Sequence, residues 1–429
     1  MYGRSNKSEI PSSRIDWLTV GIYAACVLLG WLNIFAAVYD PEANQSLFDF
    51  SLNAGKQLIW IGSSLVLVII IMVIDFKFYE AFAYVLWVIF LIALVGVIFL
   101  ARDVNGAKSW FEIGSIRVQP SEFAKFGTAL ALAKFMGTAG VKFEQLRTKL
   151  ICGVILGVPA ILILLQNDTG STMVFASFML VLYREGLPSW VLVLGLVAAA
   201  VLILTLIVDK FILFAAIAAI VAFIIFRLRR KNFQNIAVVL GGALLVVGMI
   251  TGVDFFVNNV LQKHQRDRIM VLLDDTVDKK GVGWQVLQSK IAIGSGGLTG
   301  KGFLQGTQTK FDYVPEQSTD FIFCTIGEEH GWLGSLLVIT LFMGLTCRLI
   351  FLAERQKDRF ARIYGYSVAS IIFFHFFINI GMTVGLLPVI GIPLPFFSYG
   401  GSSLWSFTIL LFIFIKIDAH RTEVLGRNY

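Results

Sequence analysis

Long apolar stretches, separated by shorter polar ones, run along almost the whole chain. A membrane-spanning helix needs about 20 predominantly apolar residues. Twelve stretches approach or reach that size: Trp17–Val38, Leu58–Ile74, Phe82–Leu100, Phe123–Met136, Leu150–Leu165, Met173–Leu182, Trp190–Val208, Phe211–Phe226, Ile236–Val253, Trp332–Leu345, Tyr366–Leu387 and Leu404–Ile415. The pattern predicts an all-α, polytopic transmembrane helix bundle of about 12 spans, forming a single integral membrane domain over residues 1–429.

The positive charges predict how this bundle is oriented. Loops on the cytoplasmic side of a membrane are enriched in Lys and Arg. With the N-terminus inside, the cytoplasmic turns would carry most of the basic residues, for example Arg227, Arg229 and Arg230 in one turn and Arg355, Arg359 and Arg362 in another. We therefore expect both termini in the cytoplasm and the long polar segment 254–319 outside, as one large extracytoplasmic loop.

Composition agrees with a membrane protein. The chain is 57% hydrophobic and 15% charged, whereas soluble domains carry about 25% charged residues. Its mean hydropathy is +0.80. The net charge of +7 is accounted for by the basic turns of the predicted topology, so we expect no nucleic-acid partner.

Two outer segments combine polar and charged residues at predicted helix starts. Pro120 is a plausible first helical residue, and Glu122 and Lys125 follow it at i, i+3 on one face. They form either a structural ion pair at the membrane edge or one wall of a substrate cavity. Asp168, in QNDTGST, either caps the following helix or shares that cavity.

The glycine cluster IGSGGLTGKGF (293–303) suggests a nucleotide-binding loop, but the spacing excludes it. A Walker motif requires Gly where Ser295 stands and Ser or Thr where Gly302 stands, and the dinucleotide pattern lacks its third glycine. Two interpretations remain. The cluster is either a plain flexible loop or a backbone that approaches a ligand such as a pyrophosphate, with Lys301 beside it.

Three acids precede this cluster, among basic residues. Asp274, Asp275 and Asp278 follow Arg266 and Arg268. Acids in an exposed loop are most often solvated, but a carboxylate at a membrane surface can also act as a general base toward a sugar hydroxyl. Composition alone does not choose between the two.

Several longer motifs together resemble a known family. They are QPSEFAKF, QNDTGST, GWQVLQSKIAIGSGGLTGKGFLQGTQ, FDYVPEQSTDFIF with GEEHG, and NIGMTVGLLPVIGIPLPFFSYGGSS. In sequence and order they resemble the SEDS family (RodA/FtsW/SpoVE), and its RodA members most closely. The family usually has ten spans, so the resemblance implies an inserted transmembrane hairpin over residues 211–253.

The resemblance implies a peptidoglycan glycosyltransferase. Such an enzyme polymerises lipid II at the outer face of the cytoplasmic membrane during cell elongation, beside a class B penicillin-binding protein (a transpeptidase) and other elongation-complex proteins. The catalytic acid of the family maps to Asp278. Lys279 replaces the usual proline after it, which leaves Asp274 as an alternative. The acid of the QPDLGT motif maps to Asp168, and the acid and lysine of PSExxK map to Glu122 and Lys125.

On this reading Asp278 deprotonates the acceptor sugar, and outer-loop cations such as Arg266 and Arg268 neutralise the leaving pyrophosphate. The matched motifs contain five more expected substrate-binding residues: Gln285, Lys301, Glu316, Asp320 and Ser398. A divalent cation is compatible with this chemistry, although the sequence shows no dedicated metal-ligand cluster. The alternatives are a lipid II flippase or transporter and a membrane scaffold for a transpeptidase.

Overall fold

The chain folds into helices with one small β-hairpin. The computed structural model describes residues 15–40, 46–101, 108–114, 116–228, 232–259, 282–309 and 313–421. The helices are α1 (Trp17–Val38), α2 (Asn53–Val73), α3 (Phe76–Ala81), α4 (Ala83–Leu100), α5 (Pro120–Gly137), α6 (Leu146–Leu165), α7 (Thr169–Val174), α8 (Phe178–Arg184), α9 (Ser189–Ile207), α10 (Lys210–Arg227), α11 (Phe233–Asn259), α12 (Val282–Ser295), α13 (Ile322–Glu354), α14 (Arg359–Thr383) and α15 (Gly401–Ala419). Strands β1 (Phe111–Ile113) and β2 (Ile116–Val118) pair antiparallel, with Glu112 opposite Arg117.

Each predicted span lies on a helix or a broken helix. Within the described part of the chain, nine helices are long and apolar enough to cross a membrane. The other three predicted spans lie on α5, on α9 and on residues 169–184, where α7, a 3₁₀ turn and α8 follow one another. The predicted polytopic helix bundle is confirmed. One boundary differs: α13 begins at Ile322 rather than near Trp332, because the polar motif GEEHG continues the helix, which then breaks at Gly331.

The chain divides into two compact units. The first comprises Met1–Leu187, Gln288–Gly385 and Ile390–Tyr429, and the second Pro188–Leu287 and Leu386–Val389. The second unit contains α9, α10 and α11, so the predicted hairpin 211–253 corresponds to α10 and α11. Within the predicted loop 254–319, α11 continues to Asn259 and α12 forms a further helix. The insertion of this hairpin relative to the family stays a prediction.

In the first unit, α14 and α15 are the central spans. About four fifths of each apolar segment is buried (78% and 83%, respectively), compared with 17% for α2. Close helix contacts depend on small residues. A Cβ on Gly365 of α14 would lie 2.5 Å from the ring of Phe414 on α15. These two helices therefore support the side chains that form the candidate site.

One end of the first unit is closed by paired arginines, and we call it the basic end. Its arginines are Arg184, Arg348, Arg355, Arg359 and Arg362. Glu185 pairs with two of them at 3.1 and 3.0 Å. Asp16, which caps α1, pairs with Arg348 of α13. Burial alone would raise the pKa of the Asp16 carboxyl, but hydrogen bonds from Arg348 and Thr19 outweigh it and lower that pKa to about 2.

Replacing Asp16 with Asn is expected to destabilise the folded protein by about 2 kcal/mol at neutral pH, because the folded state holds the carboxylate below its ordinary pKa of 3.8. A carboxyl group whose pKa is lower in the folded than in the unfolded state stabilises the fold at pH values above its unfolded pKa. That stabilisation is lost as the pH falls through the folded pKa. The difference between wild type and variant should therefore shrink between about pH 4 and pH 2. Unfolding of the detergent-solubilised protein measures it. Asp75→Asn, at the exposed cap of α3, is the control and should show a smaller effect; equal losses would contradict the prediction.

Candidate active site

Four residues of the large loop that were predicted to act on the substrate lie outside the described residues. They are the acids Asp274 and Asp278 and the arginines Arg266 and Arg268. The other predicted residues are described. Most of them lie at the helix ends opposite the basic end, which we call the motif end of the first unit.

The first group forms where α5 begins. Pro120 is the first residue of α5, and Glu122 lies in its first turn. The Lys125 ammonium donates to Glu122 Oε2 at 2.8 Å. Both side chains are buried, 1% exposed for Lys125 and 3% for Glu122. The pair is therefore a buried ion pair of α5, and neither side chain is open to solvent in this structure.

Asp168 caps the following helix and also contacts the start of α5. Its Oδ1 accepts from the Ser171 N–H at 2.9 Å, which caps α7. Its Oδ2 accepts from Gln119 Nε2 at 2.8 Å, and the Ser121 hydroxyl lies 3.4 Å away. Asp168 thus joins the start of α7 to the start of α5, close to Glu122.

A third element, the turn at residues 390–398, is held by a polar face of α14. His375 Nδ1 lies 3.1 Å from the Pro393 carbonyl oxygen. Asn379, one helical turn later, donates to the carbonyl oxygens of Ile392 and Asp320, both at 2.8 Å. Neither His375 nor Asn379 is among the residues predicted from the sequence, because both lie within a predicted apolar span. A buried ionisable residue within a span is nevertheless a signal of function.

The same turn places two predicted residues together. The Ser398 hydroxyl donates to the Thr319 carbonyl at 2.6 Å and accepts from the Leu394 N–H at 2.9 Å. The Tyr399 N–H donates to the Ser318 carbonyl at 2.9 Å. Ser398 and Asp320 therefore belong to one assembly with the turn and α14. Since His375 also contacts Lys125, with Nζ and Nε2 2.9 Å apart, this assembly continues to the α5 ion pair.

The glycine cluster is folded around a buried glutamate that is also absent from the residues predicted from the sequence. Glu328 of α13 is fully buried, and its carboxylate accepts from the Lys301 ammonium at 2.6 Å. It also accepts three backbone N–H groups, those of Thr307, Gln308 and Thr309, at 2.7, 2.9 and 3.0 Å. Lys301 and the loop amides thus surround a carboxylate of the protein itself.

Glycines make this close approach feasible. Gly300 has a φ of +82°, and a Cβ there would lie 2.1 Å from the carbonyl oxygen of Glu329. At the break of α13, the N–H groups of Trp332 and Leu333 donate to the carbonyl oxygens of Gly297 (2.9 Å) and Leu298 (3.2 Å). The backbone of the cluster therefore replaces the helical hydrogen bonds that the break removes.

Two predicted residues, Glu316 and Gln285, remain. Glu316 is exposed, with a φ of +56°, and accepts from the Thr319 hydroxyl at 2.9 Å. Gln285 is half-buried on α12, in the second unit. In the described ranges, no group of three His, Cys, Asp or Glu side chains is arranged to hold a metal ion. The divalent cation stays a prediction.

Comparison with known proteins identifies the family. The sequence model of the FtsW/RodA/SpoVE family, described as a cell cycle protein, matches residues 16–222 and 210–423. The chain belongs to this family. The resemblance to SEDS proteins is thereby confirmed. The two matched ranges overlap at residues 210–222, within α10.

Relatives and solved structures cover nearly the full length. The chain is 34% identical over 396 residues to peptidoglycan glycosyltransferase MrdB of Escherichia coli K12, with 92% of each chain covered. It is 30% identical over 438 residues to peptidoglycan glycosyltransferase RodA of Treponema pallidum, covering 95% of this chain and 98% of the relative. A chain solved in a study of how a peptidoglycan synthase complex coordinates polymerization and crosslinking superimposes with a TM-score of 0.70 at 26% identity, over 95% of this chain and 99% of that one. Thermus thermophilus RodA, at 23% identity, has the same fold, with a TM-score of 0.61 over 95% of this chain and 98% of that one.

Replacing Glu328 with Gln is expected to destabilise the protein by about 3 kcal/mol, because it removes one charge of a buried pair and turns an amide N–H₂ toward backbone donors. Unfolding in detergent measures the change. Glu144→Gln, at an exposed carboxylate, is the control and should change stability by less than about 0.5 kcal/mol. Lys301→Met combined with Glu328→Gln should be less destabilising than the sum of the single variants, since both act on one contact. If the losses of stability in the two single variants add up exactly in the double variant, the Lys301–Glu328 contact does not account for the contribution of Glu328.

Proposed function

We propose that this chain is a peptidoglycan glycosyltransferase. It polymerises lipid II into β-1,4 glycan strands at the outer face of the cytoplasmic membrane during cell elongation. The observation that carries the proposal is the match, over 92% of this chain, to a relative named peptidoglycan glycosyltransferase MrdB. The assembly of the shared motifs at the motif end of a membrane bundle supports it.

The charge distribution supports the proposed orientation. The described part of the chain begins and ends at the basic end, where Asp16 precedes α1 and Asp418 lies in the last turn of α15. Clustered arginines favour the cytoplasmic side of a membrane. With the basic end in the cytoplasm, both termini are cytoplasmic and the motif end faces the extracytoplasmic side, where a lipid-linked sugar substrate would be met.

In the proposed reaction, Asp278 accepts the proton of the acceptor sugar 4-hydroxyl. That oxygen attacks the anomeric carbon of the donor, and undecaprenyl pyrophosphate leaves. A single displacement at an α-linked donor produces a β bond. Arg266 and Arg268 neutralise charge on the pyrophosphate as the bond breaks. Glu122 and Lys125, buried as a pair, support the walls of this site by holding the start of α5.

We also propose that the chain works beside a class B penicillin-binding protein, which crosslinks the new strands, within a larger elongation complex. Support comes from the solved chain of a peptidoglycan synthase complex that coordinates polymerization and crosslinking, with which this chain superimposes over 95% of its length.

Replacing Asp278 with Ala is expected to reduce glycan polymerisation from purified lipid II by about 10²- to 10⁴-fold, because the acceptor hydroxyl loses its general base. Polymer length and amount are measured by gel electrophoresis of labelled product, with and without the cognate transpeptidase. Asp274→Ala is the matched control, since it removes a neighbouring acid of the same loop, and it should remain active.

Undiminished polymerisation by Asp278→Ala, with loss in Asp274→Ala, would transfer the role to Asp274. The flippase alternative would be established if the wild type with its transpeptidase made no polymer and instead transferred labelled lipid II across liposome membranes. Absence of both activities would leave the scaffold role.

A further inference from the structure

His375 lies at the centre of the contacts between α5, α14 and the turn, yet no part of the proposed reaction uses it. The side chain is fully buried on α14. One ring nitrogen, Nδ1, lies 3.1 Å from the Pro393 carbonyl oxygen, and the other, Nε2, lies 2.9 Å from the Lys125 ammonium. The ring therefore connects two elements that the sequence places far apart.

These two partners decide where the imidazole proton is. A carbonyl oxygen can only accept a hydrogen bond, so Nδ1 must carry the hydrogen. An ammonium can only donate, so Nε2 must present its lone pair. His375 is thus a neutral imidazole with its proton on Nδ1, and the contact to the turn sets the tautomer that Lys125 requires.

Lys125 needs this acceptor because it is buried. Its ammonium has three N–H groups, and a buried cation is tolerated only when its hydrogen-bonding groups are satisfied. Glu122 Oε2 accepts at 2.8 Å, His375 Nε2 lies at 2.9 Å, and the Phe407 ring centroid lies 4.8 Å from Nζ. His375 is the neutral acceptor of this set.

The turn on the other side of His375 leads to predicted substrate-binding residues. Asn379, four residues later on the same face of α14, holds the turn through Ile392 and also binds the Asp320 carbonyl. Ser398 ties the turn to Thr319. A shift of the imidazole would therefore move the α5 ion pair relative to the segment that contains Asp320.

We propose that His375 is a positioning residue for glycosyl transfer. It does so by accepting from Lys125, which fixes the α5 ion pair, while its contact with the Pro393 carbonyl sets the tautomer that presents Nε2 as the acceptor. This proposal rests on the proposed glycosyltransferase function. His375 acts through Lys125 and is not itself in contact with the reacting atoms.

Two amide variants separate positioning from simple core packing. The carbonyl oxygen of Gln can reach the place of Nε2 and accept from Lys125, whereas the shorter Asn reaches only the place of Nδ1 and keeps the turn. Using the full-length purified protein with lipid II, we expect His375→Asn to lower kcat by about 10- to 100-fold, the effect of leaving one buried donor unpaired. His375→Gln should restore kcat to within about threefold of wild type, and KM should change little in both.

A double-variant test asks whether His375 acts through Lys125. If it does, adding His375→Asn to Lys125→Met should lower kcat no further than Lys125→Met alone, because residues that share one interaction are not additive. Ser367→Ala, at another buried residue of α14 whose hydroxyl bonds within its own helix, is the control for damage to the helix and should keep wild-type kcat.

Three outcomes would each overturn the proposal. His375→Asn could keep the wild-type kcat, or His375→Asn and His375→Gln could both fold and lose kcat equally. The third is a loss of kcat in the double variant with Lys125→Met that equals the product of the two single losses. Thermal unfolding reports whether the variants are folded. If His375→Asn does not fold, kcat is compared between His375→Met and His375→Gln, whose side chains are similar in size but differ in the acceptor for Lys125. If none of the three variants folds, the proposal is overturned and His375 has a folding role. Absence of polymer from the wild type would instead refute the proposed function itself.

Discussion

Polar groups inside a membrane span have no water to bind, so each one must find its partner within the protein. This constraint organises the motif end of the first unit. The Lys125 ammonium is paired with Glu122 and with His375, and His375 in turn meets the Pro393 carbonyl. Asn379 extends the same line of contacts to Asp320. Satisfying one buried cation therefore places three segments that are distant in sequence.

The backbone obeys the same constraint where α13 breaks. Gly331, with a φ of 61° and a ψ of −153°, interrupts the helix, and the glycine cluster supplies carbonyl oxygens to the N–H groups that follow. Side chains would prevent this approach, which explains the density of glycine. Glu328 then fixes the loop amides and Lys301 around one carboxylate. The conspicuous glycine motif is thus a packing device at the break of α13.

The two ends of the first unit use charge differently. At the basic end, arginines pair with carboxylates between neighbouring helices, as Glu185 does with Arg359 and Arg362, and these contacts join spans where they reach water. At the motif end the buried charges of Lys125 and Glu328 are held by hydrogen bonds from or to single groups, so each contact is specific in direction. The proposed transfer from a lipid-linked sugar requires such fixed geometry, because small displacements of reacting groups reduce rates strongly.

The sequence alone determined the spans, because hydrocarbon thickness requires long apolar stretches wherever the chain crosses a membrane. It also determined that the glycine cluster is not a nucleotide loop, since that depends on local spacing, and it suggested the capping role of Asp168. The partners of Lys125 and Glu328 emerged only in the tertiary structure. His375 lies 250 residues from Lys125 along the chain. The loop groups that bind Glu328 include backbone N–H groups, which nearly every residue type has, so the side chains do not identify them. Such contacts depend on how distant helices pack, and a local pattern of apolar and polar residues does not contain that information.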